Sequence, residues 1–163
     1  MKTKQFLSNV NALISKPYSD IDCIGVITKA LNIRCAGTNW LFRSINNSSK
    51  YRYLTELRKT SESVPPAGAV LFKIRDKVPD GYTDKPDAYH CGVLDFDGYV
   101  IHSSPNTGVR KDYNSHYSQW SYYGLLKQVD YESNTETEVE SRQSEKEFLE
   151  SVKDLIEKRI ETL

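Results

Sequence analysis

The sequence predicts an α+β fold, with N-terminal helices packed on an antiparallel sheet. Three observations carry this prediction. Before residue 62 the apolar residues recur at helical spacing, and after residue 69 they gather in short strand-like runs. The change falls at Val64-Pro65-Pro66-Ala67-Gly68, a stretch that suits neither a helix nor a strand interior. Asp97-Gly98 then sits between two apolar runs, the signal of a tight hairpin.

Taken in order, Phe6, Val10, Leu13 and Ile14 form a helical stripe that starts near Thr3 and is stopped by Pro17. Asp22 is placed to cap a second helix whose stripe is Ile24, Ile27, Ala30 and Leu31, which puts Cys23 in its first turn. Thr38 to Ile45 reads as a short helix, broken by Asn46-Asn47-Ser48-Ser49, and Tyr53 to Glu62 reads as another. Ala69 to Ile74 is the first expected strand, followed by a polar loop from Arg75 to about Ala88. Tyr89 to Phe96 and Tyr99 to Ser104 form the hairpin, and Tyr122 to Tyr131 the last strand, so the sheet is expected to be a meander.

The charge balance marks a boundary. The 163 residues carry 22 basic and 22 acidic side chains, for a formal net charge of zero. Residues 1–131 hold 17 basic and 12 acidic groups, whereas residues 132–163 hold 5 and 10. The zero is therefore a mildly basic domain cancelled by an acidic tail. Residues 132–142 have the composition of a linker. Residues 143–163 place Phe148, Leu149, Val152, Leu155, Ile156, Ile160 and Leu163 on one helical face, with Arg159 interrupting a strict heptad. That helix is expected to pack on its own domain or to bind a partner or a second copy.

Composition excludes some classes. No apolar run approaches the ~20 residues of a membrane-spanning helix. Without excess charge, a nucleic acid is a poor partner. The N-terminus is basic, but polar residues interrupt its apolar stretch, so no cleaved signal peptide is expected. Cys23, Cys35 and Cys91 are odd in number and expected to be reduced.

Cys23 is the residue that suggests chemistry. A helix N-terminus stabilises a thiolate, the nucleophilic form of cysteine, whereas Asp22 beside it opposes ionisation. Equally, Cys23 fits the Ile27 stripe as a core residue, and position alone does not decide. A cysteine nucleophile needs a general base, and the base needs a group to orient it. His90 and His102 lie in the two hairpin strands, and the turn decides whether they meet. A two-residue turn at Asp97-Gly98 would put them on opposite faces. A three-residue turn, Phe96-Asp97-Gly98 with Gly98 left-handed, would set His102 opposite Gly92, diagonal to His90 on one face. The catalytic reading requires the odd-length turn.

Five stretches then extend the pattern: Lys16-Pro17-Tyr18; Asp22-Cys23-Ile24-Gly25; Pro66-Ala67-Gly68-Ala69-Val70-Leu71-Phe72; His90-Cys91-Gly92-Val93; and Val100-Ile101-His102-Ser103-Ser104. In this order and spacing they resemble the motifs of the NlpC/p-sixty superfamily of papain-like cell-wall cysteine peptidases. The closing Gly124 to Tyr131 resembles phage and gut-Firmicutes versions, and the likeness spans residues 4 to 131. It implies a papain-like fold, Cys23 as nucleophile, His90 as base and His102 as its orienting residue. Tyr18 and the Cys23 N–H would serve substrate or oxyanion, Asp22 a cationic group of the substrate or only the helix cap. Asn39 and Trp40 would line the groove, and Ser103 would flank the site or end a strand. Cys91 would face away as a structural thiol, and the loop from Arg75 to Ala88 would border the groove or lie in solvent. His116 has no evident partner and is expected on the surface.

The implied reaction is hydrolysis of an amide in the peptidoglycan stem peptide, typically between D-γ-glutamyl and the diamino acid, with no metal or other cofactor. A chain made in the cytoplasm would then reach the wall through a phage or similar device. The chain departs from the family at Ser19-Asp20-Ile21, where an aromatic-Gly-Gly turn is usual, and at Ile24, where a small residue is usual. Three alternatives stand beside this reading: a CHAP-like N-acetylmuramoyl-L-alanine amidase, an inactive wall-binding module, and a zinc site drawn from Cys23, Cys35, His90, Cys91 and His102, whose spacing lacks a CxxC or HxxxH pair.

Overall fold

The computed structural model describes residues 1–131, 147–153 and 156. The chain divides into two compact units, residues 1–131 and 132–163. In the first, the helices are α1 (Thr3–Asn11), α2 (Cys23–Leu31) and α3 (Thr38–Arg43), the last continued by a 3-10 turn over Ser44–Asn46. The strands are β1 (Leu54–Lys59), β2 (Val70–Arg75), β3 (Asp87–Leu94), β4 (Tyr99–Ser104), β5 (Gly108–His116) and β6 (Tyr122–Leu126). They form one antiparallel sheet in the order β1-β6-β2-β3-β4-β5. The unit is thus α+β, with helices first in the chain.

One side of the sheet carries the helices. Phe6 and Val10 of α1, Val26 and Ile27 of α2, and Leu41 of α3 share a core with Phe72, Cys91, Val93 and Ile101 of the strands, all fully buried. Each such side chain contributes about 1.5–3 kcal/mol by leaving water. The other side buries Leu71, Leu94, Val100, Tyr123 and Trp120 in a smaller cluster. The end of the unit is tied to its beginning: the Thr3 hydroxyl donates to the Asp130 carbonyl at 3.0 Å, and the Lys2 ammonium meets the Asp130 carboxylate at 2.6 Å.

Four expectations about elements are corrected. Tyr53 to Glu62 is not helical, because Leu54–Lys59 pairs with β6 instead. Its Glu, Leu, Arg and Lys favour a helix in isolation, but Leu54 is buried in the core and the Ser44 hydroxyl takes the N–H groups of Tyr53 and Leu54 at 3.2 Å each. The sheet is not a simple meander, since β6 returns to insert between β1 and β2. The last strand is shorter than expected, ending at Leu126. Strand β5 was not expected at all; its outer residues are polar because it is a sheet edge.

In the second unit, residues 147–153 are helical. The expected linker 132–142 and the stripe residues Leu155, Ile160 and Leu163 lie outside the described residues. Among the described residues no helix is long and apolar enough to cross a membrane.

Candidate active site

Cys23 opens α2 because the chain before it is strapped to the sheet. The Ser15 N–H donates to the Val109 carbonyl at 2.8 Å, and the Val109 N–H returns to the Lys16 carbonyl at 2.9 Å. The Ser103 hydroxyl, fully buried on β4, donates to the Ile21 carbonyl at 2.6 Å. Asp22 then caps the helix, accepting the Gly25 N–H at 2.7 Å. The N–H groups of the first turn, Cys23 included, point out of the helix end and have no intrahelical acceptor.

The half-buried sulfur has three polar neighbours. The Cys91 thiol, the His90 ring and the Thr38 hydroxyl together favour its ionised form and outweigh the burial that opposes ionisation, lowering its pKa from the ordinary 9.0 to about 3. The Thr38 Oγ1 is 3.5 Å away. Cys91 shifts the opposite way: burial first, then the neighbouring Cys23, push its thiol well up. At neutral pH the site therefore holds one thiolate, on Cys23.

The hairpin places the histidines together. Leu94 pairs with Val100, and the Gly98 N–H donates to the Asp95 carbonyl at 3.2 Å, so the turn is the three-residue Phe96-Asp97-Gly98. Gly98 has φ +82°, the left-handed conformation that glycine adopts without strain. His102 falls opposite Gly92, where a Cβ would stand 3.0 Å from the His102 Cβ, so only glycine permits this approach. Diagonally across the same face, His90 Nε2 lies 2.9 Å from His102 Nδ1. Trp120 floors the pair, stacked on His90 at 5.5 Å between centroids and edge-on to His102 at 5.7 Å.

A fourth group continues the line. Asp112 of β5 puts Oδ2 3.4 Å from His102 Nε2. Burial opposes its ionisation, but the Asn114 N–H, His102 and Arg110 together hold its carboxyl below the usual range. Burial, then the charge of His90, lower the His102 pKa against the pull of Asp112. The hydrogen bonds then assign the protons: neutral His102 donates from Nε2 to Asp112 and accepts at Nδ1 from His90 Nε2–H. His90 Nδ1 is left for the Cys23 sulfur. Cys23, His90, His102 and Asp112 thus form a connected chain that can hold a thiolate beside an imidazolium and move one proton.

The remaining expected residues divide. Tyr18 is half-buried, and burial, the Cys23 thiolate and Asp22 raise its pKa, so its phenol keeps an O–H beside the sulfur. Asp22 serves as the cap. Asn39 and Trp40 line a cleft of about 420 Å³ that starts at Thr38 and runs between α3 and the loop before β3. The Asn39 amide is engaged there, donating to Asp87 at 2.7 Å and accepting the Ala88 N–H at 2.8 Å. Arg75, Lys77, Pro79, Asp80 and Tyr82 form the opposite wall, so this loop does border a groove. Ser103 is corrected: strand alternation turns it away from the His102 face, and it braces the loop before Cys23 instead of flanking the site. Cys91 does turn away from His90 and is fully buried, but on that side it meets the Thr38 hydroxyl that also contacts Cys23. His116 is exposed and has a local partner, its Nδ1 lying 3.0 Å from the Ser118 hydroxyl. Cys35 bonds the Gly37 carbonyl at 3.5 Å, and among the described residues no group of three or more His, Cys, Asp and Glu is placed to hold a metal ion.

Sequence reasoning missed Asp112, Trp120 and Thr38. The turn sequence Pro105-Asn106-Thr107-Gly108 after a strand was a usable signal for β5, and so for Asp112. Comparison with family models and with curated proteins finds no match for this chain.

Proposed function

We propose that this chain is a papain-like cysteine peptidase of the NlpC/p-sixty type that hydrolyses an amide bond in the peptidoglycan stem peptide. The observation that carries this reading is the chain of contacts from the helix-terminal Cys23 through His90 and His102 to Asp112. The substrate class comes from the motif resemblance, and the basic excess of residues 1–131 suits an anionic wall.

The chemistry follows from the geometry. The Cys23 thiolate attacks the carbonyl carbon of the stem amide. The oxyanion that forms meets the Cys23 N–H at the positive end of α2, with the Tyr18 hydroxyl as a neighbouring donor. His90 Nδ1–H delivers its proton to the departing amine, leaving a thioester on Cys23. His90, now neutral, takes a proton from water, which attacks the thioester and regenerates the thiolate and the imidazolium. His102 and Asp112 keep the His90 ring in register. Part of the stem peptide lies along the Trp40 and Tyr82 cleft.

Digestion of purified peptidoglycan, with mass spectrometry of each newly freed amine, tests the reading. Free amino groups on the diamino acid are expected. Free L-alanine N-termini would replace the endopeptidase with an amidase, and intact stems would exclude both.

A further inference from the structure

Two cysteines share one hydroxyl at this site, and acyl transfer uses one of them. Cys91 follows His90 on β3, so alternation turns its side chain to the helix side, where it is fully buried. Its Sγ lies 3.6 Å from Thr38 Oγ1, the same oxygen that lies 3.5 Å from the Cys23 Sγ. Each cysteine also shifts the other's acidity, Cys91 lowering the Cys23 pKa and Cys23 raising that of Cys91. Cys23 is half-buried and reachable by small solutes, whereas Cys91 is not. Cys35 points to the Gly37 carbonyl and takes no part.

We propose that Cys23 and Cys91 are a redox pair: a hydroperoxide oxidises Cys23, and Cys91 converts the product to an intramolecular disulfide that shuts the site reversibly. In the first step the Cys23 thiolate attacks one peroxide oxygen. The O–O bond breaks, the sulfur becomes a sulfenic acid, and hydroxide leaves and is protonated to water. In the second step the Cys91 sulfur attacks the Cys23 sulfur. The S–S bond forms, the S–O bond breaks, and the Cys91 proton leaves with the hydroxyl as a second water. Two thiols have lost two electrons and the peroxide has gained them. Thr38 must swing aside, since the bonded sulfurs stand about 2.05 Å apart. An external dithiol reverses the change by exchange. The thiolate state of Cys23 suits the first step, because the thiolate is the form that peroxide oxidises. Without Cys91 the sulfenic acid would advance to the irreversible sulfinic acid.

As regulation of hydrolysis, the inference rests on the peptidase reading; the pairing itself does not. The test treats the reduced full-length chain with hydrogen peroxide, blocks remaining thiols with iodoacetamide, and maps the peptides by mass. The expected wild-type product is a Cys23–Cys91 cross-linked peptide, about 2 Da lighter than the two thiol peptides and restored by dithiothreitol. Cys91→Val is expected to gain about 32 Da at Cys23, unaffected by dithiothreitol. Sulfinic acid at Cys23 in the wild type, with Cys91 alkylated, would overturn the proposal; if the variant does not fold, the wild-type map decides alone. A disulfide in a protein that leaves peptidoglycan intact would uphold the pair and overturn the peptidase.

Discussion

Replacing Asp112 with asparagine isolates the least expected member of the site. Its carboxylate accepts from His102 Nε2 at 3.4 Å, from Arg110 Nη2 at 3.4 Å, and from the Asn114 N–H at 3.0 Å. The Arg110 side chain is 48% exposed, so that ion pair contributes little. The His102 contact lies between side chains only 9% and 15% exposed, where water does not substitute for it. A hydrogen bond to a charged group contributes about 1.5–3 kcal/mol, and the long separation favours the lower end. Asparagine matches the shape but removes the charge, and it can present an N–H to Nε2, which favours the wrong His102 tautomer. A loss of about 1.5 kcal/mol from the transition state is roughly tenfold in kcat. KM should hold, because Asp112 is not part of the cleft wall. The Asp112 charge raises the proton affinity of His102, which must stay neutral to accept the His90 N–H, so its removal also moves the acidic limb of the pH–rate profile to lower pH. Steady-state hydrolysis of a soluble stem peptide across pH measures both effects, and Asp112→Glu should restore part of each. Wild-type kcat with an unshifted limb would refute the argument that Asp112 acts through His102.

Four further outcomes follow from the same structure. With a pKa near 3 against the ordinary 9.0, Cys23 absorbs as a thiolate at 240 nm at pH 5, and Cys23→Ala lacks that signal; a titration centred near 8–9 would contradict the ion pair. Because the folded pKa is the lower one, Cys23 adds stability that is full above about 9 and lost as pH falls toward 3, so the wild type gains on Cys23→Ala as pH rises through that range. Ser103→Ala leaves the buried Ile21 carbonyl without its donor, which should cost about 1–3 kcal/mol by urea unfolding and slow Cys23 alkylation; an unchanged midpoint would remove its bracing role. Gly108→Ala drives a Cβ into the Lys16 carbonyl oxygen at φ +65°, and the left-handed conformation alone costs about 1–2 kcal/mol, so the same assay should show more than that loss.

The sequence was most legible where one local rule governs. Asp97-Gly98 located the hairpin but left two registers open, of which only the catalytic reading favoured the one found, and the Asp22 cap followed from its place before an apolar stripe. It was least legible where distant pairing decides. Leu54–Lys59 looks helical by composition and becomes a strand only because β6 returns to it. Edge strand β5 must show polar residues to solvent, which hides its alternation and, with it, Asp112. Cys91 shows the limit of a correct local rule. Period-two alternation does turn it away from His90, but only the packing of α2 shows that this direction leads to Cys23.

The central claim is that the Cys23 thiolate cleaves the wall stem peptide. Its most direct measurement is the digestion of purified peptidoglycan by the wild type and Cys23→Ala side by side, with soluble fragments and new amines identified by mass. Diamino-acid amines are expected from the wild type and none from Cys23→Ala, with wall binding retained by both. Equal release by the two proteins would contradict it.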